Sequence, residues 1–141
     1  MPKTKKTSKK AASKNKAPIC VLHIAFTLHD KAIQNWLLHV LKKTRNDDVR
    51  VDLMTTLDEV SVFQETIDEI KGKLHICPHP KMKGAFLRYV RDVLEGDIKY
   101  DLIHVHPFIL GGSIMTQAFR ANIPVRLMHA HLDRRKFSRN K

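Results

Sequence analysis

The sequence predicts an α/β domain built on a doubly wound, Rossmann-like parallel sheet of about five strands, preceded by a disordered basic tail. Three observations carry this reading. Short apolar runs rich in branched residues recur five times. Between them, four stretches place apolar residues at spacings of three and four. The last two apolar runs also end alike, in His-x-His: "DLIHVH" with His104 and His106, and "VRLMHAH" with His129 and His131. Strand–helix alternation of this kind implies parallel strands with helices on both faces, and the expected strand order is 3-2-1-4-5.

The first run, "ICVLHIAF" (Ile19 to Phe26), follows Pro18 and reads as a buried strand. Ile33, Trp36, Leu37, Val40 and Leu41 then mark one face of a helix, with Asp30 placed to cap its first turn. "VRVDLM" is the second strand. Val60, Phe63, Ile67 and Ile70 predict the second helix, ending near Gly72. "KLHIC" is a third strand, stopped by "PHP". Phe86, Leu87, Val90, Val93 and Leu94 predict a third helix, ending near Gly96. "DLIHVH" is the fourth strand. Leu110, Ile114, Met115, Ala118 and Phe119 predict the fourth helix, and "IPVRLMHA" the fifth strand.

The 141 residues, 43% of them hydrophobic, suffice for one core. No apolar run approaches the roughly 18 residues of a membrane span, and Ile19 to Phe26 lacks the cleavage site of a secretory signal. The net charge of +12 is concentrated at the ends. Residues 1–16 hold seven lysines and no acid, and residues 133–141 hold five basic residues and one acid, so the body between is nearly neutral. The expected organisation is a disordered basic tail over 1–17, one α/β domain over 18–133 and a basic tail over 134–141. Such tails bind polyanions weakly. Cys20 and Cys77 fit no metal knuckle or redox pair and read as free thiols of a reducing, cytoplasmic protein.

Ligands of a doubly wound sheet sit beyond the carboxyl ends of the strands, where the winding reverses. Here that point lies between strands one and four. Leu102, His104 and His106 share a strand face. His104 is expected inside the run and buried, as a structural residue. His106 is expected at the mouth, as the chemical one. By the same logic His129 is the inner and His131 the outer histidine of the second pair. Gly111 and Gly112 open the fourth helix, where backbone amides can receive an anion. His-x-His on a strand is a zinc arrangement, but no cysteine or carboxylate apart from Asp133 completes a set, so no metal is expected. The first loop has no glycine, which disfavours a nicotinamide dinucleotide.

In order and spacing, "VLHIAFTL", "NWLLHVLKK", "VRVDLMTT", "GKLHICPHPK" and "YDLIHVHPFILGGSIMTQAFRANIPVRLMHAHLD" resemble the N-terminal domain of family-four glycosyltransferases of the GT-B fold. The resemblance implies transfer of a sugar from a nucleotide-sugar donor to a sugar or lipid acceptor with retention of configuration. It implies no tightly bound cofactor. It implies His106 at the reaction centre and His129 and His131 near the acceptor. Where that family carries a glycine-rich turn, this chain has "HDKAIQ", whose Lys31 is the residue placed to meet a phosphate. The donor-holding C-terminal domain of the family, with its Glu-x7-Glu element, has no counterpart in the 141 residues, so the expectation is a domain either truncated or completed by a separately encoded C-terminal partner, and inactive alone. Peripheral placement at the inner membrane face accompanies the cytoplasmic expectation. Two other classes compete: a relict binding module acting through its basic tails, and a small metal-dependent hydrolase using the histidines.

Overall fold

A computed structural model describes residues 17–26, 30–106 and 110–130. Nearly all of the N-terminal tail, the C-terminal tail, Asp133 and His131 lie outside these residues. Five strands and four helices alternate: β1 (Ile19–Ile24), α1 (Lys31–Thr44), β2 (Val49–Thr56), α2 (Val60–Glu69), β3 (Leu74–Cys77), α3 (Lys83–Leu94), β4 (Leu102–Val105), α4 (Gly111–Arg120) and β5 (Val125–Met128). All pairings are parallel, in the order β3-β2-β1-β4-β5. The predicted order is the observed one. Asp30 caps α1 as expected, its Oδ1 accepting from the Ala32 amide at 2.8 Å.

Strand alternation divides the interior into two cores. Leu22, Ile24, Ile103 and Val105 point to one face, under Phe86, Val90 and Leu94 of α3 and Ile114 and Ala118 of α4. Val51 and Leu53 point to the other, under Leu37 and Leu41 of α1 and Phe63 and Ile67 of α2. Both helices of this second face are drawn toward β2 and β3. β5 is therefore an edge strand with all four residues exposed, Leu127 at 45% and Val125 at 44%. No helix among the described residues is long and apolar enough to cross a membrane. Both cysteines are free, and burial pushes the Cys77 thiol up to about 12.

α2 ends at a tight turn. Lys71 adopts a φ of 55°, and the Gly72 amide donates back to the Ile67 carbonyl at 3.0 Å. A Cβ on Gly72 would overlap the carbonyl oxygen of Val51, an atom of the β2 backbone that cannot step aside without moving the strand. Gly72→Ala is expected to lower stability by about 1–3 kcal/mol through this overpacking. Denaturant unfolding reads it: the midpoint should fall with the slope unchanged. A wild-type midpoint would mean that the turn is not pressed against β2.

A buried polar cluster lies on the α3–α4 face. The Asp52 carboxylate is fully buried. It accepts from the Tyr100 hydroxyl at 2.6 Å, the Lys73 amide at 2.8 Å and Arg50 Nε at 3.1 Å. The single Tyr100 hydrogen is committed to the carboxylate. His75 Nε2–H therefore donates to the Tyr100 oxygen at 2.9 Å, which fixes that ring's tautomer. Burial, and then the bond to Asp52, pushes the Tyr100 hydroxyl above its ordinary range. Burial likewise lowers His75.

Candidate functional site

On the α1–α2 face, four histidines converge near the carboxyl ends of β1, β4 and β5. β1 and β4 pair so that His23 and His104 are direct partners. His106 follows two residues on, on the same face. Its amide extends the ladder by donating to the Ile24 carbonyl at 2.9 Å. The His129 amide does the same on the far side of β4, donating to Val105 at 2.8 Å. Register thus brings together rings from three strands.

The rings touch in pairs. His23 Nδ1 and His106 Nε2 share a buried hydrogen bond of 2.9 Å. His104 and His106 stack with centroids 4.0 Å apart, and His104 stacks with His129 at 5.7 Å. Trp36, the chain's single tryptophan, meets His129 edge-on at 5.2 Å and His106 at 6.0 Å. It reaches them from α1 and is itself 40% exposed. Burial, and then the nearby His104, lowers His23 to about 3, so its ring is neutral near pH 7.

One expectation is overturned. His106, placed at an open mouth by the sequence, is 1% exposed, while His104, expected to be buried, is half-buried. The reason is which helix covers what. Trp36 packs edge-on against the His106 ring at the top of β4, whereas α1 and α2 pack chiefly over β2 and β3 and leave the β4–β5 side of the sheet more open. Depth along the strand does not set burial here; helix placement does.

The remaining expected residues divide. His129 joins the cluster and is half-buried. Gly111 and Gly112 open α4 just past β4, at the same end of the sheet. A Cβ on Gly111 would meet only the flexible end of Met128, and one on Gly112 would meet nothing. Close packing therefore does not demand glycine at Gly112. Leu110, before them, holds a φ of 61°, a left-handed conformation unusual for a branched side chain, at the turn into α4. Lys31 is exposed on the first turn of α1. His23 is the residue that sequence reasoning missed. Its signal was present, since "VLHI" and "LIHV" each set a histidine one residue before the strand end, and only pairing of those strands makes the coincidence meaningful.

No family model matches the chain. EpsF of Bacillus subtilis (strain 168), a protein provisionally named a glycosyltransferase, is 24% identical over 113 residues, covering 79% of this chain and 29% of that protein. UDP-GlcNAc 2-epimerase from Neisseria meningitidis, solved with UDP-GlcNAc bound, superposes with a TM-score of 0.56 at 18% identity, covering 86% of this chain and 35% of the other. Another UDP-N-acetylglucosamine 2-epimerase gives 0.52 at 19% identity, covering 88% and 37%. These likenesses establish a Rossmann-like fold. They do not by themselves fix chemistry, because the C-terminal domain of a Pyrococcus furiosus hydrogenase also superposes at 0.50 and 14% identity, covering 82% of this chain and 97% of that one. The chain spans about a third of the length of EpsF and the epimerases.

Proposed function

We propose that this chain is the acceptor-side domain of a retaining glycosyltransferase of the family-four GT-B type, which moves a sugar from a nucleotide-sugar donor to a sugar or lipid acceptor. The observation that carries the reading is the convergence of His106, His129 and Trp36 at the carboxyl end of the sheet, where the strand order reverses between β1 and β4. The likeness to EpsF and to epimerases, one of them solved with UDP-GlcNAc, supports a nucleotide sugar as the co-substrate. In this reading the His106 ring, held by its bond to His23, meets the sugar once the edge of Trp36 swings aside. His129 faces the acceptor, and His131, two residues on in the sequence, is assigned to it by the resemblance alone. Lys31 and the amides of Gly111 and Gly112 approach the donor phosphates.

His23 would act through His106. A shared ring hydrogen between Nδ1 and Nε2 fixes which His106 nitrogen faces outward. A positioned histidine that moves or shares a proton in the transition state contributes about 10²–10⁴-fold.

The donor clamp belongs to a second α/β domain carrying Glu-x7-Glu. The test is reconstitution. Alone, the chain should release no nucleotide from nucleotide sugars above buffer. Mixed or co-expressed with such a domain, it should release nucleotide only when acceptor is present. Multiple turnover by the chain alone would contradict the proposed division of labour. The basic residues at the two ends favour a second reading, a non-catalytic module that binds polyanions. Failure of reconstitution, together with salt-dependent binding of heparin or DNA by the full chain, would favour it.

A further inference from the structure

We propose that His23, His104 and His106 form a binding site for a divalent transition-metal ion of the zinc class. One ring nitrogen from each lies within 4.8 Å of the other two. Zinc–nitrogen bonds of about 2.0–2.1 Å in a tetrahedral site place ligand nitrogens roughly 3.3 Å apart. One pair, His23 Nδ1 and His106 Nε2, stands at 2.9 Å and needs to open by only a few tenths of an ångström. The widest pair closes by about 1.5 Å at most, a movement that small χ rotations supply.

The ligands rest on rigid elements. Two come from one strand at His-x-His spacing, so both project to one face, and the third comes from its paired neighbour. The His106 amide is tied to Ile24, which holds the top of β4 against β1. Such preorganisation is what a metal site requires. The donor set chooses the ion: three imidazoles with no carboxylate among them suit zinc, copper, nickel or cobalt and not magnesium or calcium. The fourth position falls to water or to His129, whose ring centroid lies 5.7 Å from that of His104 and 6.0 Å from that of His106.

Binding balances without net ionisation. The hydrogen that joins His23 to His106 must move to the other nitrogen of its own ring, and both rings then coordinate as neutral ligands. The expectation of no metal rested on the lack of a cysteine or carboxylate beside the histidines of β4 and β5; His23, brought in by register, makes a set of three imidazoles that needs neither. The site does not depend on the transferase reading. A bound ion would occupy His106 and inhibit any transfer that uses it.

The test uses the full chain, stripped with a chelator and titrated with Co²⁺. Visible bands of tetrahedral cobalt should grow to one equivalent and be displaced by Zn²⁺. Trp36 fluorescence should be quenched in parallel, since its ring lies 6.0 Å from His106. His104→Ala, at a half-buried position, should weaken binding at least about 10-fold. His39→Gln, at an exposed position on α1, should leave it unchanged. Absence of tetrahedral bands would overturn the site. So would binding that survives His104→Ala, or that disappears with His39→Gln. Should His104→Ala fail to fold, the wild-type Trp36 titration decides, and no saturable quenching at one equivalent overturns the proposal.

Discussion

Asp52→Ala is expected to cost about 3–5 kcal/mol, which is the range for removing one partner of a buried charged network. The carboxylate gathers three donors from separate parts of the chain: the Tyr100 hydroxyl, the Lys73 amide and Arg50. Its loss leaves a buried hydroxyl and a backbone amide without their acceptor, each worth about 1–3 kcal/mol. Arg50 adds less, because its side chain is 38% exposed and water can replace its partner. Arg50→Ala should therefore cost about 1 kcal/mol or less. A domain of ordinary stability holds about 5–15 kcal/mol, so the Asp52 variant should lose a large share of it. Thermal or denaturant unfolding measures both. Equal losses for the two substitutions would show that Asp52 serves chiefly as the partner of Arg50.

The second large effect concerns the stacked histidines. With His104 inside the run and His106 at the mouth, as the sequence suggests, His104→Ala would be the destabilising change. The burial pattern reverses it. His106 is enclosed by His23, His104, Trp36 and His129, and His106→Ala strips the His23 ring of its 2.9 Å partner inside the sheet. It should cost about 1–3 kcal/mol. His104→Ala, at a more open position, should cost less. In the reconstituted enzyme His106→Ala should also cut turnover by about 10²–10⁴-fold. Stability alone would not show chemistry, so the comparison matters: His106→Gln retains a hydrogen-bonding group, and should recover stability without recovering turnover. Recovery of both would make His106 a packing residue.

Much of the fold was legible because it rests on local pattern. The helical spacing of Phe86, Val90 and Leu94, the cap at Asp30 and the turn at Gly72 are written within a few residues each. Alternation then left few topologies, and the observed order is the expected one. The site was legible only in part. Its location at the ends of β1, β4 and β5 follows from topology. Its membership does not, because His23 joins through register with a strand roughly eighty residues away. The burial of His106 depends on Trp36, a residue whose helical spacing with Ile33 and Val40 announces core but whose ring sits at the rim. The exposure of β5 was equally hidden, since an apolar run does not say that its neighbours cover only one side.

The central claim is that ligand meets this domain at the histidine rim under Trp36. The direct measurement is a titration of the isotope-labelled full chain, mixed with the second domain that reconstitutes transfer, with a nucleotide sugar, followed by amide and indole NMR shifts. The account predicts weak, saturable changes at the Trp36 indole, His106, Gly111, Gly112 and His129, with the amides around Asp52 and Tyr100 on the opposite face unchanged. Changes confined to the Asp52–Tyr100 side, or no changes as the nucleotide sugar is raised to millimolar excess, would contradict it.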